Sequence, residues 1–124
     1  MWIKMKIFIL EDDPRRMEYF SRKFYNHEII WRDTAEEAIQ YLTFNYGEMD
    51  NIFLDHDLGG KSFVSSDEFN TGYTVAKFLA EYAHGNFTHV IIHSMNPPAA
   101  IRMQELLPGS QVIPFHGLFE RITS

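Results

Sequence analysis

The chain predicts an α/β domain built on a parallel five-stranded sheet with helices on both faces. Three observations predict it. Short apolar runs alternate with stretches of helical periodicity along the whole sequence. The helical stretches open on capping residues or proline. Three apolar runs also end in acids or histidine: Ile7-Phe8-Ile9-Leu10-Glu11 leads into Asp12-Asp13, Ile52-Phe53-Leu54 into Asp55-His56-Asp57, and Val90-Ile91-Ile92 into His93-Ser94. In an open α/β sheet, the groups that act on a ligand gather beyond the carboxyl ends of the strands. Three such endings point to one shared polar site.

Lys6 to Leu10 reads as a buried strand. Asp13-Pro14 then opens a helix, Asp as N-cap and Pro in the first turn, with Met17, Phe20 and Phe24 on its inner face. His27 to Arg32 is a weaker second strand. Thr34-Ala35-Glu36-Glu37 has capping-box spacing, and Ala35, Ala38, Ile39 and Leu42 form the next apolar stripe. Asn51 to Asp55 is the third strand. A polar loop runs from His56 to about Asn70. The following helix buries Val75, Phe78, Leu79 and Tyr82, at helical spacing. His89 to His93 is the fourth strand. Pro97-Pro98 opens a helix through Leu107, and Pro108-Gly109 stops it. Gln111 to Pro114 is a short fifth strand, leaving room for a stub of a last helix or none.

Right-handed crossovers favour a three-layer, flavodoxin-like arrangement with strand order 2-1-3-4-5. Strands one, three and four are then neighbours, and Asp12, Asp13, Asp55, Asp57 and His93 converge at the switch point. Residues 1–124 read as a single domain, since no composition shift or Ser/Gly-rich stretch divides them. The chain has no cysteine, which excludes disulfides, thiolate metal sites and thiol nucleophiles. No apolar run is long enough to span a bilayer, and the start lacks the long apolar stretch of a secretion signal, so a cytoplasmic protein is expected. A net charge of −6 argues against a broad nucleic-acid-binding surface. A phosphorylated small molecule or a single RNA end in a local pocket stays open as a partner; the sequence names no protein partner.

Carboxylates crowded at strand ends repel unless a cation or proton sits between them. Hard oxygen donors of this kind suit Mg²⁺ or Mn²⁺ better than Zn²⁺. Asp12, Asp13, Asp55 and Asp57 are thus candidate metal-site residues, although Asp13 equally fits a helix cap, and Asp12 and Asp57 equally fit solvent-facing positions. His56 and His93, each flanked by other polar site residues, are the candidate acid–base groups beside Asp55, or metal ligands. His27, His84 and His89 read as ordinary structural histidines. Arg15, Arg16 and Arg102 are candidate phosphate clamps. Arg15 and Arg16 lie in a first helical turn, where a cation opposes the dipole unless an anion is near. Ser94 and Asn96 either bind phosphate or cap the helix behind them, and Thr71-Gly72 offers a weak anion signal at a helix start.

With these residues in place, the chain resembles a response-regulator receiver domain over nearly its whole length. Asp12-Asp13 and Asp55 match the receiver's metal-binding acids and phosphoacceptor. His93-Ser94 stands at the receiver's Thr/Ser position, and Pro114-Phe115-His116 stands where a Lys is expected, which argues against ordinary phosphorelay signalling. A closer resemblance is to the cyclic-phosphate processing receiver domains. It rests on Glu11-Asp12-Asp13 with Arg15 or Arg16, Leu54-Asp55-His56-Asp57-Leu58-Gly59, Thr71-Gly72, and His93-Ser94-Met95-Asn96-Pro97 with Arg102. The resemblance implies a phosphoesterase acting on cyclic phosphates, such as RNA 2′,3′-cyclic ends in repair or cyclic nucleotides. Asp12, Asp13 and Asp55 would surround the metal or phosphate, with His56 and His93 as acid and base or as ligands. The alternative is a non-catalytic pseudo-receiver that binds a nucleotide or protein.

Overall fold

A computed structural model describes residues 3–118. In chain order its elements are β1 (Lys6–Leu10), α1 (Pro14–Lys23), β2 (Glu28–Arg32), α2 (Ala35–Asn45), β3 (Asn51–Leu54), α3 (Gly72–Tyr82), β4 (Val90–Ile92), α4 (Pro97–Leu106) and β5 (Gln111–Val112). The sheet has the order β2-β1-β3-β4-β5, with every neighbouring pair parallel. The predicted architecture and strand order are those observed. A 3₁₀ turn, Tyr46–Glu48, extends α2 and has no counterpart in the sequence reading. Residues 115–118 form a helical turn, and how far the last helix extends lies outside the described residues.

Alternation along the strands makes two cores. Phe8, Leu10, Ile52, Leu54, Val90 and Ile92 face α2, α3 and α4, meeting Ala38, Leu42, Val75, Leu79 and Met103. Ile7, Ile9 and Phe53 face α1, meeting Met17, Phe20 and Phe24, with Leu118 from the helical turn at 115–118. Each fully buried aliphatic or Phe side chain is worth about 1.5–3 kcal/mol relative to exposure. The central strands carry most of that burial, which gives the site a rigid base.

The local signals for helix starts hold. Asp13 caps α1 through Arg15 N (2.9 Å), and Thr34 caps α2 through Glu37 N (3.2 Å). Asn96 caps α4 through Ala99 N (3.4 Å). Four strands are shorter than expected: β2 starts at Glu28 rather than His27, β3 ends at Leu54, β4 spans Val90–Ile92, and β5 stops at Val112. α4 likewise ends at Leu106 rather than Leu107. Part of the reason at the carboxyl ends is that the chain turns away after one more ladder bond. Asp55 N still donates to Leu10 O (3.1 Å), and His93 N to Leu54 O (3.0 Å). Those bonds fix where the two side chains begin. Among the described residues, no helix is long and apolar enough to cross a membrane.

Candidate functional site

Register puts Leu10 beside Leu54 and Leu54 beside Ile92 on three adjacent strands. The next residue on each strand is Glu11, Asp55 and His93, so these three form one row across the sheet end. All three are buried, and one donor atom from each lies within 4.8 Å of the others. His93 Nε2 meets Glu11 Oε1 at 2.9 Å. A carboxylate only accepts, so Nε2 carries the proton of this bond. The other carboxylate oxygen of Glu11 accepts from the backbone N–H groups of Asp12 and Asp13, each at 3.1 Å. Trp31 donates its indole N–H to the Glu11 carbonyl (2.6 Å), tying β2 to the end of β1. The His93 ring is walled by Phe20, Phe53 and Phe115, and its Nδ1 is buried with no partner among the described residues.

Asp55 is 2% exposed. Its Oδ1 accepts from His56 N (2.8 Å), while Arg16 stands 3.5 Å from Oδ2 and 3.7 Å from Glu11 Oε1. Arg16 lies over the Phe115 ring, which restricts its position. Burial pushes the Asp55 carboxyl up to about 7; nearby Glu11 adds to the rise, and His93 and Arg16 oppose it. Burial also works to raise Glu11, yet the hydrogen bond and charge of His93 prevail and hold it below the usual carboxylate range. Asp12 is pushed up, mainly by burial, although Gly60 N–H donates to its Oδ2 at 2.6 Å.

In front of this row lies a cleft of about 440 Å³, lined by Asp12, Asp13, Asp55 and Asp57 together with Arg15, Arg16 and Lys61. The four predicted acids therefore do share one cleft, but their roles differ. Asp13 caps α1 and pairs with the exposed Arg15 (3.3 Å). Asp57 is saturated: it accepts from His56 Nδ1 (2.7 Å), Asn96 Nδ2 (3.1 Å), Phe63 N (2.7 Å) and Val64 N (3.1 Å). Those bonds hold it below its ordinary value against the opposing effect of burial, which is the largest single influence. Asp57 thus organises the 56–70 loop, where Phe63 is the non-glycine residue with positive φ (53°) among those described.

The two predicted histidines do not meet in one site. His56 follows Asp55 and so turns to the opposite face of the strand end, where it is buried and bonded to Asp57 and Ser66. His93 faces α1 and bonds Glu11. Among the described residues their side chains share no hydrogen-bonding partner. Arg102 also lies away from the acidic cleft, with Nε and Nη2 at 3.3 and 3.1 Å from Ser66 Oγ. Ser94 Oγ accepts from Asn96 N (3.0 Å), so both residues serve the start of α4. Thr71 and Gly72 are no anion site: their N–H groups already donate to Phe69 O (2.8 Å) and His56 O (2.9 Å). The residue that sequence reasoning left out of the site is Glu11. Equal distance from the paired strand residues is the signal that finds it.

The Glu11–Asp55–His93 set, two carboxylates and an imidazole, could hold a divalent ion once His93 Nε2 gives up the proton it donates to Glu11. Arg16 already brings positive charge to both carboxylates, so an ion and the guanidinium would compete there.

Comparison with known proteins agrees with this fold. The description "Cyclic-phosphate processing Receiver domain" matches residues 5–109. No match was found among curated protein sequences. Among solved structures, the CheX-CheY-BeF3-Mg+2 complex from Borrelia burgdorferi aligns at TM-score 0.70 and 15% identity, over 98% of this chain and 88% of that one. A response regulator receiver protein from Pseudomonas putida aligns at TM-score 0.66 and 14% identity, over 99% and 98%. A receiver domain from Rhodospirillum rubrum aligns at 0.64 and 18%, over 96% and 95%. At these identities the structures establish the fold, and the family match carries the rest. The chain belongs to the cyclic-phosphate processing receiver domains.

Proposed function

We propose that the protein hydrolyses a cyclic phosphodiester in the acidic cleft, opening the ring to a phosphomonoester. The observation that carries this reading is the Arg16–Asp55 pair on the cleft wall, a guanidinium 3.5 Å from a buried carboxylate. Arg16 is partly exposed and suited to bind phosphoryl oxygens. Asp55, in its carboxylate form, takes a proton from the attacking water. The water oxygen forms the new P–O bond, one ring P–O bond breaks, and the freed ring oxygen takes a proton from solvent in the open cleft. A carboxyl that titrates near 7 serves this exchange well at neutral pH. Glu11 and His93 hold the row behind it. Mg²⁺ or Mn²⁺ taking the place of Arg16 beside Asp55 and Glu11 would supply the same charge stabilisation to the phosphoryl oxygens. The family description supports cyclic phosphates as the class, with 2′,3′-cyclic RNA ends and cyclic nucleotides as the first candidates.

The test is incubation with 2′,3′-cyclic nucleotides and cyclic-ended RNA, followed by ³¹P NMR. The wild type consumes the ring, and Asp55→Asn slows it by roughly 10²–10⁴-fold. Undiminished turnover in Asp55→Asn overturns the assignment. Saturable binding without turnover by the wild type would identify a nucleotide-binding pseudo-receiver instead.

A further inference from the structure

On the far face of the 56–70 loop, Ser66, His56 and Asp57 form a linear relay. Ser66 Oγ lies 3.0 Å from His56 Nε2, and His56 Nδ1 lies 2.7 Å from Asp57 Oδ1. Asp57 can only accept, so Nδ1 carries the proton and Nε2 presents its lone pair to the Ser66 hydroxyl. The tautomer needed of a general base is therefore set by the fold. Arg102 turns its Nε–Nη2 edge to the same Ser66 oxygen. Ser66 is half-buried and opens on a pocket of about 370 Å³, lined by Ser65, Asp67, Tyr73 and Arg102, which shares no lining residue with the acidic cleft.

We propose that Ser66 is an activated nucleophile that accepts a phosphoryl group from a small activated donor, with His56 as base, Asp57 as its orienting partner and Arg102 as the oxyanion clamp. The hydroxyl, base and carboxylate occupy the positions that nucleophilic serine chemistry requires. The Nε–Nη2 edge of Arg102 matches two oxygens of a tetrahedral phosphoryl group, which favours phosphoryl over acyl transfer. His56 is fully buried and meets the pocket only through Ser66, so it takes the serine proton but hands none to a departing group. The donor must release a stable anion, as an acyl phosphate or phosphoanhydride does. Ser66 Oγ forms a bond to phosphorus, the bond from phosphorus to the leaving oxygen breaks, that oxygen departs with the electron pair, and the serine proton moves to His56 Nε2.

A fluorophosphonate probe tests this on the full chain, because fluoride also leaves as an anion. Peptide mass spectrometry is expected to find one label per chain, on Ser66, and none in Ser66→Ala. His56→Gln slows labelling at least about tenfold. The exposed Arg102→Ala, which leaves the core untouched, slows it several-fold even where His56→Gln fails to fold. No label, a label only on Ser62, Ser65 or another serine, or an undiminished rate in Arg102→Ala overturns the proposal and leaves the relay a fastening of the loop. Neither result bears on turnover in the acidic cleft.

Discussion

The guanidinium of Arg16 stands 3.5 Å from Asp55, and this one pair joins the first turn of α1 to the end of β3. A cation in the first turn of a helix opposes the dipole. Here the opposing field is met by the buried carboxylates of the sheet end, so the unfavourable position has a local cause.

Arg16→Ala is expected to raise the Asp55 titration further above about 7, because Arg16 opposes the effect of burial there. A ¹³C carboxyl titration reads the shift directly. Cyclic-phosphate turnover is expected to fall roughly 10²-fold through loss of charge stabilisation. An unmoved titration would show that Arg16 acts only as a peripheral counter-ion.

The pH dependence of stability follows from the same carboxyl. Its folded-state value lies above the ordinary 3.8, so between the two values the folded state holds more protons than the unfolded state. The stabilisation from this group is therefore complete below 3.8 and is lost as pH rises through about 7. Asp55→Asn keeps a neutral group there at every pH. At pH 8 the variant is expected to exceed the wild type by roughly 2–4 kcal/mol in urea unfolding, with the gap closing at low pH. Glu11 has the opposite sign: its lowered value contributes stability above 4.5 that is lost on acidification.

Asp57→Ala removes the acceptor for four donors, including buried His56. The expected cost is about 3 kcal/mol, since unpaired buried donors bear the full desolvation penalty. Limited proteolysis should then cut within 56–70 well before the rest of the domain. Equal resistance in wild type and variant would contradict this role.

Gly72 sits so close to β3 that an added Cβ would lie 1.9 Å from the Asp55 carbonyl oxygen. Gly72→Ala must push α3 away from the strand end or prevent docking. A loss of about 3–5 kcal/mol in denaturant midpoint experiments is expected, larger than any helix-propensity gain. A variant as stable as wild type would show that α3 shifts freely.

Much of this molecule is legible in the residues. The alternation of Ile7-Phe8-Ile9-Leu10 between two cores, the caps at Asp13, Thr34 and Asn96, and the prolines opening α1 and α4 all act locally, so sequence spacing reports them. Strand order follows from crossover handedness. The site was legible only in outline. Asp55 and His93 announce themselves as polar endings, but Glu11 reads as part of an apolar run until the register with Leu54 and Ile92 is known. The separation of His56 from His93 is likewise a consequence of pleat: one residue past Asp55 is the other face of the sheet. Of the partners of Asp57, His56 is its chain neighbour, but Asn96 lies 39 residues away, and no local pattern encodes that contact.

The indole of Trp31, hydrogen-bonded to the Glu11 carbonyl and 40% exposed, gives the protein a built-in optical reporter. Its emission reads the polarity and field at the backbone of the residue that anchors His93. In a Trp2→Phe background, where Trp31 is the sole indole fluorophore, a change in emission on titrating nucleotide or Mg²⁺ would yield occupancy without a label and without waiting for turnover.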